Sequence, residues 1–218
     1  KDEWHLSQLS GFLLMPFVWL FTTITGSTEG IILAARVLYI IFHATVSIVI
    51  YSRIRKYGYV SVFASVLYFI YTPYDIMAMS YNTMGLDFVT LAGVIMGTAS
   101  YKKKLPLIVS GVAFAAAVLC CPYLAAAYIL YGICVLIHTF IKNKETMFIL
   151  KSELFAGKTF LLFSIGIFAL AAVFLVFALT RVSIKEIFNY LPYLMTDPEH
   201  PQIALGTRFG MYFKSIYN

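Results

Sequence analysis

Long apolar runs, separated by short polar breaks rich in Lys and Arg, set the pattern of this chain. A bilayer core about 30 Å thick takes roughly 20 apolar residues in a helix. The runs at residues 31–52, 123–141 and 159–180 meet that length most clearly. A chain that leaves one side and returns to it crosses an even number of times. Residues 59–73 and 86–99 supply one such hairpin, with YDIMAMSYNTMG outside. Residues 107–121 and 123–141 supply the next, turning at CCPY, where Pro122 interrupts the helical pattern. The expected fold class is therefore all-α, a polytopic integral membrane helical bundle of about six spans.

Residues 10–26 leave two readings open. The run is apolar but short, carries Pro16 in its middle and has no basic flank. A crossing would put DEWH on the cytoplasmic side. A helix lying in the outer interface would put DEWH outside, beside Glu29, and Trp4, Phe17 and Trp19 suit that position. Gly93 and Gly97 form a small-xxx-small pair, expected to serve close helix contact within the chain. No internal repeat or low-complexity linker stands out.

Charge fixes the orientation. Ten of the sixteen Lys and Arg residues lie in three breaks: Arg53, Arg55 and Lys56; Lys102, Lys103 and Lys104; and Lys142, Lys144, Lys151 and Lys158. Short basic loops mark the cytoplasmic side. Glu145 and Glu153 share those breaks, and the other eight acids fall toward the opposite face, where any chemistry is expected. With 61% hydrophobic and 12% charged residues and a mean hydropathy of +0.86, the composition excludes an ordinary soluble domain. The net charge of +6 sits at membrane edges, where it meets anionic lipid headgroups, and no nucleic-acid partner is implied. Cys120, Cys121 and Cys134 lie in apolar runs without metal-ligand spacing and read as packing residues. His43 and His138, each alone in a span, read as packing histidines with a satisfied hydrogen bond. The chain starts at Lys1 without a signal-peptide pattern and stops where a further helix begins, as a fragment of a longer polytopic protein would.

The stretch DEWHLSQLSGFLLMPFVWLFTTITGSTEGIILAARVLYI resembles the GT-C superfamily of polytopic membrane glycosyltransferases, of the aminoarabinose-transferase and protein O-mannosyltransferase type. In that family an acidic outer loop runs into a juxtamembrane helix with a mid-helix Pro. A Gly-containing turn follows, then an apolar span with an Arg near its outer end. The corresponding features are Asp2 and Glu3, Pro16, Gly26 and Gly30, and Arg36. GVAFAAAVLCCPYLAAA is similar to a family segment that ends its span in a Pro-containing break. The resemblance covers roughly residues 1–145, a pattern rather than a strict motif. Two departures stand out. Cys120 and Cys121 precede Pro122 where the family often carries a Lys, and the family's main catalytic acid can lie upstream of Lys1.

On this resemblance, residues 1–30 form an extracytoplasmic loop and juxtamembrane helix, 31–180 the bundle, and 181–218 an outer loop with the start of a further helix. The implied activity moves a sugar from a polyprenyl-phosphate donor to a lipid, glycan or protein acceptor. It takes place on the extracytoplasmic face of a bacterial plasma membrane. The reaction needs a carboxylate to orient or deprotonate the acceptor and donors to stabilise the departing phosphate. Asp2 and Glu3 are the catalytic candidates, against a plain reading as solvated loop acids. His5 and Gln8, three apart, are candidates for sugar or phosphate binding. Arg36 is expected to anchor the lipid-linked phosphate, or else to pair with Glu29 or a headgroup. Tyr81 and Asn82 offer stacking and hydrogen bonds at a cavity edge, although Asn82 and Gly85 also suit a helix-ending turn. Asp75 and Asp87 share that hairpin, and Asp87 is expected to cap the following span. Asp197, Glu199 and His200 in DPEHP are further substrate ligands if that loop folds over the cavity, and otherwise a solvated turn. They are compatible with a divalent cation, but no metal site and no defined cofactor follow from the sequence. The rival class is a transporter or flippase-like carrier without glycosyl transfer, which would show broken helices and paired charges at mid-membrane. A non-catalytic membrane scaffold is the third.

Overall fold

A computed structural model describes residues 9–72, 76–99, 103–140, 153–181 and 183–190. Among them the regular elements are all helical, as expected. They are α1 (Leu9–Thr25), α2 (Ile31–Ile54), α3 (Tyr59–Ile70), α4 (Tyr81–Thr98), α5 (Lys104–Cys120), α6 (Ala125–Phe140), α7 (Gly157–Leu179) and α8 (Ile184–Tyr190). Single 3-10 turns lie at Arg55–Tyr57, Pro122–Leu124 and Glu153–Phe155. Three helical stretches are long and apolar enough to cross a membrane: Ile31–Tyr57, Pro122–Phe140 and Gly157–Leu179. These are the three runs that stand out in the sequence.

Two of the other boundaries differ from expectation. The run at 59–73 is helical only to Ile70, 12 residues. At Tyr71 the backbone turns extended, with its N–H donated to the Leu67 and Tyr68 carbonyls. Pro73 follows two residues later, and the residue before a proline avoids the helical region. The span expected from residue 86 begins instead at Tyr81. Ser80 caps it: its side chain accepts the Thr83 N–H at 3.2 Å, while its own N–H donates to Thr83 Oγ1 at 2.9 Å. This reciprocal capping satisfies two orphan donors and draws Tyr81–Gly85, expected outside, into the helix. Asp87 therefore caps nothing. Gly85 likewise ends no helix, and a Cβ there would stand 2.7 Å from Cys121 Sγ.

α5 packs on α4 along one side and on α7 along another. Its sequence explains why: Ser110, Gly111, Ala113, Ala115, Ala116 and Ala117 are small and buried, so neighbouring backbones can approach closely. Ser110 Oγ donates to the Ala92 carbonyl of α4 at 2.7 Å. Against α7 the approach is closer still. A Cβ on Gly111 would lie 2.0 Å from the Phe163 carbonyl oxygen, and one on Gly166 would lie 2.0 Å from that of Ile108. The glycine pair expected to make intrachain contact, Gly93 and Gly97, does not do so. Each faces open space, with nothing within 4 Å of a built Cβ. Cys120 and Cys121 are buried with Met84, in keeping with their packing role.

Polar side chains tie the remaining helices together. Ser47 Oγ of α2 donates to the Ser65 carbonyl of α3 at 2.7 Å, and the Tyr128 hydroxyl of α6 bonds Ser164 of α7 at 2.8 Å. The start of α1 rests against helix ends. Phe12 packs edge-on against Phe174 of α7 at 5.3 Å, and Leu13 and Leu14 pack against Met84, Cys120 and Cys121. Gly26 and Gly30, both at positive φ, make the turn into α2, a conformation that costs other residues about 1 kcal/mol or more. Large apolar side chains such as Ile32, Leu33, Ile40, Ile41 and Ile48 remain exposed on α2. Such a surface suits hydrocarbon rather than water.

α8 opens with its own capping box. The Ser183 N–H and hydroxyl both donate to Glu186 Oε2 at 2.8 Å, and the Glu186 N–H donates to Ser183 Oγ at 3.3 Å. The backbone bond first, then the hydroxyl bond, hold the Glu186 carboxyl below its ordinary value of 4.5. A lowered acid stabilises the folded turn above the ordinary value, and that support is lost as pH falls through the lowered one. Acidifying from pH 6 to pH 3 is thus expected to fray residues 184–190. In Ser183→Ala the fraying should already be present at pH 6. Cα chemical shifts of this segment check both expectations.

Candidate functional site: a buried acid, imidazole and phenol cluster

The most deeply buried ionisable side chain is Asp87, 0% exposed, on the second turn of α4. Its Oδ1 lies 2.7 Å from His43 Nδ1 of α2 and accepts the Tyr68 hydroxyl of α3 at 2.6 Å. His43 Nε2 lies 2.9 Å from the Tyr68 backbone carbonyl oxygen. The imidazole is stacked between two phenol rings, Tyr68 at 4.8 Å and Tyr39 at 5.3 Å between centroids. Asp87 Oδ2 and the Tyr39 hydroxyl are buried without a hydrogen-bond partner among the described residues.

Local sequence accounts for this assembly. Tyr39 and His43 are four apart and share one face of α2, followed along that face by buried Val46, Ser47 and Ile50. α3 lies antiparallel on that face, since Ser47 meets Ser65 while His43 meets Tyr68. α4 closes the third side, where Phe42 and Phe88 meet at 4.9 Å beside the cluster. An isolated carboxylate among apolar helices would be strongly disfavoured, so its pairing is what allows this burial.

The residues expected to form a site are distributed differently. Asp2, Glu3, His5, Gln8, Asp75, Asp197, Glu199 and His200 lie outside the described residues. Arg36 is exposed on the second turn of α2 and has no ion pair with Glu29 among the described residues. Tyr81 is exposed at the first position of α4, with Asn82 half-buried next to it. Tyr81 and Asn82 thus share one helix end, and no hydrogen bond joins either side chain to Arg36 among the described residues. His43 has both ring nitrogens engaged, as a packing histidine would, but one partner is a carboxylate. Sequence reasoning missed the cluster. The usable signal was an acid and a histidine inside apolar runs, where ionisable groups mark functional positions by default.

An apolar groove of about 160 Å³ lies between α5, α6 and α7, lined by Phe114, Val118, Tyr128, Ile167 and Phe174 among others. No group of three or more potential metal ligands occurs among the described residues.

Among the described residues these features define an all-helical chain with three helices of membrane-crossing length and a buried ionisable pair in its bundle. In comparisons with known proteins, no family model, no curated protein and no solved structure matches the chain.

Proposed function

We propose that this chain is a membrane glycosyltransferase of GT-C type with about six spans. It moves a sugar from a polyprenyl-phosphate donor to an acceptor on the extracytoplasmic face. One observation carries the reading: the first turns of α1 rest at the end of the bundle where α2 begins. Its first turns rest on the start of α4 and the ends of α5 and α7, through Met84, Cys120, Cys121, Phe174 and Phe177. Five residues separate its last residue, Thr25, from Ile31 at the start of α2. α2 runs opposite to α3, and α3 returns to α4, so α2 starts at that same end. This arrangement supports an interfacial helix over a crossing one. It also puts Arg36, Tyr81, Asn82 and the Pro122 break toward the end opposite Arg53, Lys104 and Lys158.

On this reading the Arg36 guanidinium takes the donor phosphate as a charge-assisted, two-pronged contact. Tyr81 gives a sugar-stacking face, and Asn82 gives donors and acceptors for sugar hydroxyls. Asp2 and Glu3, or an acid upstream, orient the acceptor hydroxyl and receive its proton as the glycosidic bond forms. Asp197, Glu199 and His200 contribute further substrate contacts from the loop after α7.

The test uses the full-length protein in nanodiscs with a panel of polyprenyl-phosphate sugars, reading release of free polyprenyl phosphate. Arg36→Gln should lower release about tenfold or more, the scale of one lost charge-assisted hydrogen bond, and Asn82→Ala about threefold to tenfold, the scale of a neutral one. Their melting temperatures should be unchanged. Release at wild-type rates in both variants would remove these residues from the donor site. The carrier reading is favoured by one observation, the buried His43–Asp87 pair. It would be preferred if labelled lipid-linked sugar crossed proteoliposomes without any bond breaking.

A further inference from the structure

His43 and Asp87 take no part in the glycosyl-transfer reading, yet their geometry fixes a proton count. His43 Nε2 faces the Tyr68 carbonyl at 2.9 Å. A carbonyl oxygen only accepts, so Nε2 carries hydrogen and donates it. Nδ1 then lies 2.7 Å from Asp87 Oδ1, and two bare lone pairs at that distance repel. A proton must lie between them, on the ring nitrogen or on the carboxyl oxygen. Imidazolium beside carboxylate and imidazole beside carboxylic acid have the same count. Each is neutral overall, with one proton more than neutral imidazole beside carboxylate.

The surroundings demand the same count. The titratable groups facing the pair are Tyr39 from α2 and Tyr68 from α3. α4 presents Asp87 itself, and no Lys or Arg is buried among the described residues. Without the shared proton, a net negative charge would stand in an apolar interior with no cation to balance it. A second, independent feature is the side of the cluster left open for hydrogen bonding, though not to solvent. Asp87 Oδ2 and the Tyr39 hydroxyl are both buried and unpartnered. One is an acceptor and the other can donate, so each keeps hydrogen-bonding capacity that no described side chain fills.

We propose that His43 and Asp87 form a proton-binding site within the bundle. Its ligand is one proton shared by the pair at neutral pH, and its open side is Asp87 Oδ2 with the Tyr39 hydroxyl, through which the proton exchanges. This site is independent of the glycosyltransferase reading.

The experiment uses the full-length protein in nanodiscs with ring-15N histidine, His43 being assigned by its loss in His43→Gln. At pH 7 the wild type should show either of two patterns. In the first, both His43 nitrogens are protonated. In the second, Nε2 is protonated while a carboxylic-acid infrared band is present that Asp87→Asn removes. A bare His43 nitrogen without any such band would overturn the proposal, and that reading comes from the wild type even where a variant fails to fold. Tyr39→Phe should keep the shared proton but slow its replacement by deuterium several-fold. Unchanged exchange would remove Tyr39 and Oδ2 as the open side. Spectra that differ between sodium and choline chloride at fixed pH would point to a metal cation and overturn the proton assignment.

Discussion

Gly111→Ala is expected to force α5 and α7 apart and to destabilise the fold by about 3 kcal/mol or more, at the upper end for overpacking. The added carbon would lie 2.0 Å from the Phe163 carbonyl oxygen, and Gly166→Ala would make the matching clash with Ile108. Both obstacles are backbone, so no rotamer change relieves them. α5 also packs on α4, and displacing it disturbs the Ser110 bond to Ala92 as well. Gly93→Ala is the control. Nothing stands within 4 Å of its built Cβ, and removing a mid-helix glycine should leave stability unchanged or raise it by up to about 1 kcal/mol. Unfolding midpoints in mixed micelles check all three. A neutral Gly111→Ala would mean that the two helices are not in this register.

The second large effect concerns the buried pair. Asp87→Leu leaves His43 Nδ1 and the Tyr68 hydroxyl facing apolar carbon, and should cost about 3–5 kcal/mol, the usual result of removing one partner from a buried pair. Replacing His43 and Asp87 together by leucine removes both ionisable groups and should recover much of that loss, leaving chiefly the Tyr68 hydroxyl unsatisfied at about 1–3 kcal/mol. A double variant as unstable as the sum of the two singles would show that they do not act as a pair. The same midpoints, compared across the wild type, two singles and the double, give the coupling directly.

What could be read from the sequence was what depends on length and hydropathy. The runs at 31–52, 123–141 and 159–180 correspond to helical stretches at Ile31–Tyr57, Pro122–Phe140 and Gly157–Leu179. The start of α4 was obscured because Tyr81, Asn82 and Thr83 look like loop residues, while the decisive fact is the reciprocal bond between Ser80 and Thr83. The close helix crossing was attributed to Gly93 and Gly97 because their spacing is a known pattern. Gly111 and Gly166 lie on different helices, and no spacing rule joins them. The cluster escaped for a related reason. His43 and Asp87 are 44 residues apart, and whether a lone histidine packs or pairs depends on a partner that only the fold supplies. Arg36, Tyr81 and Asn82 stood out because each is polar at the edge of an apolar run, and each indeed sits near a helix start.

The shortness of α3 has a consequence for the surrounding lipid. Its 12 residues reach about 18 Å, against roughly 30 Å of hydrocarbon. On the proposed six-span reading α3 crosses the bilayer, yet the chain next to Ile70 is no longer helical, and extended backbone cannot face acyl chains with its N–H and C=O groups unmet. The lipid must thin at that point or be held away by neighbouring helices. Thinning makes a dimple in the leaflet beside α3 and the start of α4. Headgroups sink into such a dimple, and a phosphate on a lipid tail would there sit several ångströms deeper than elsewhere in the leaflet, without leaving the polar layer.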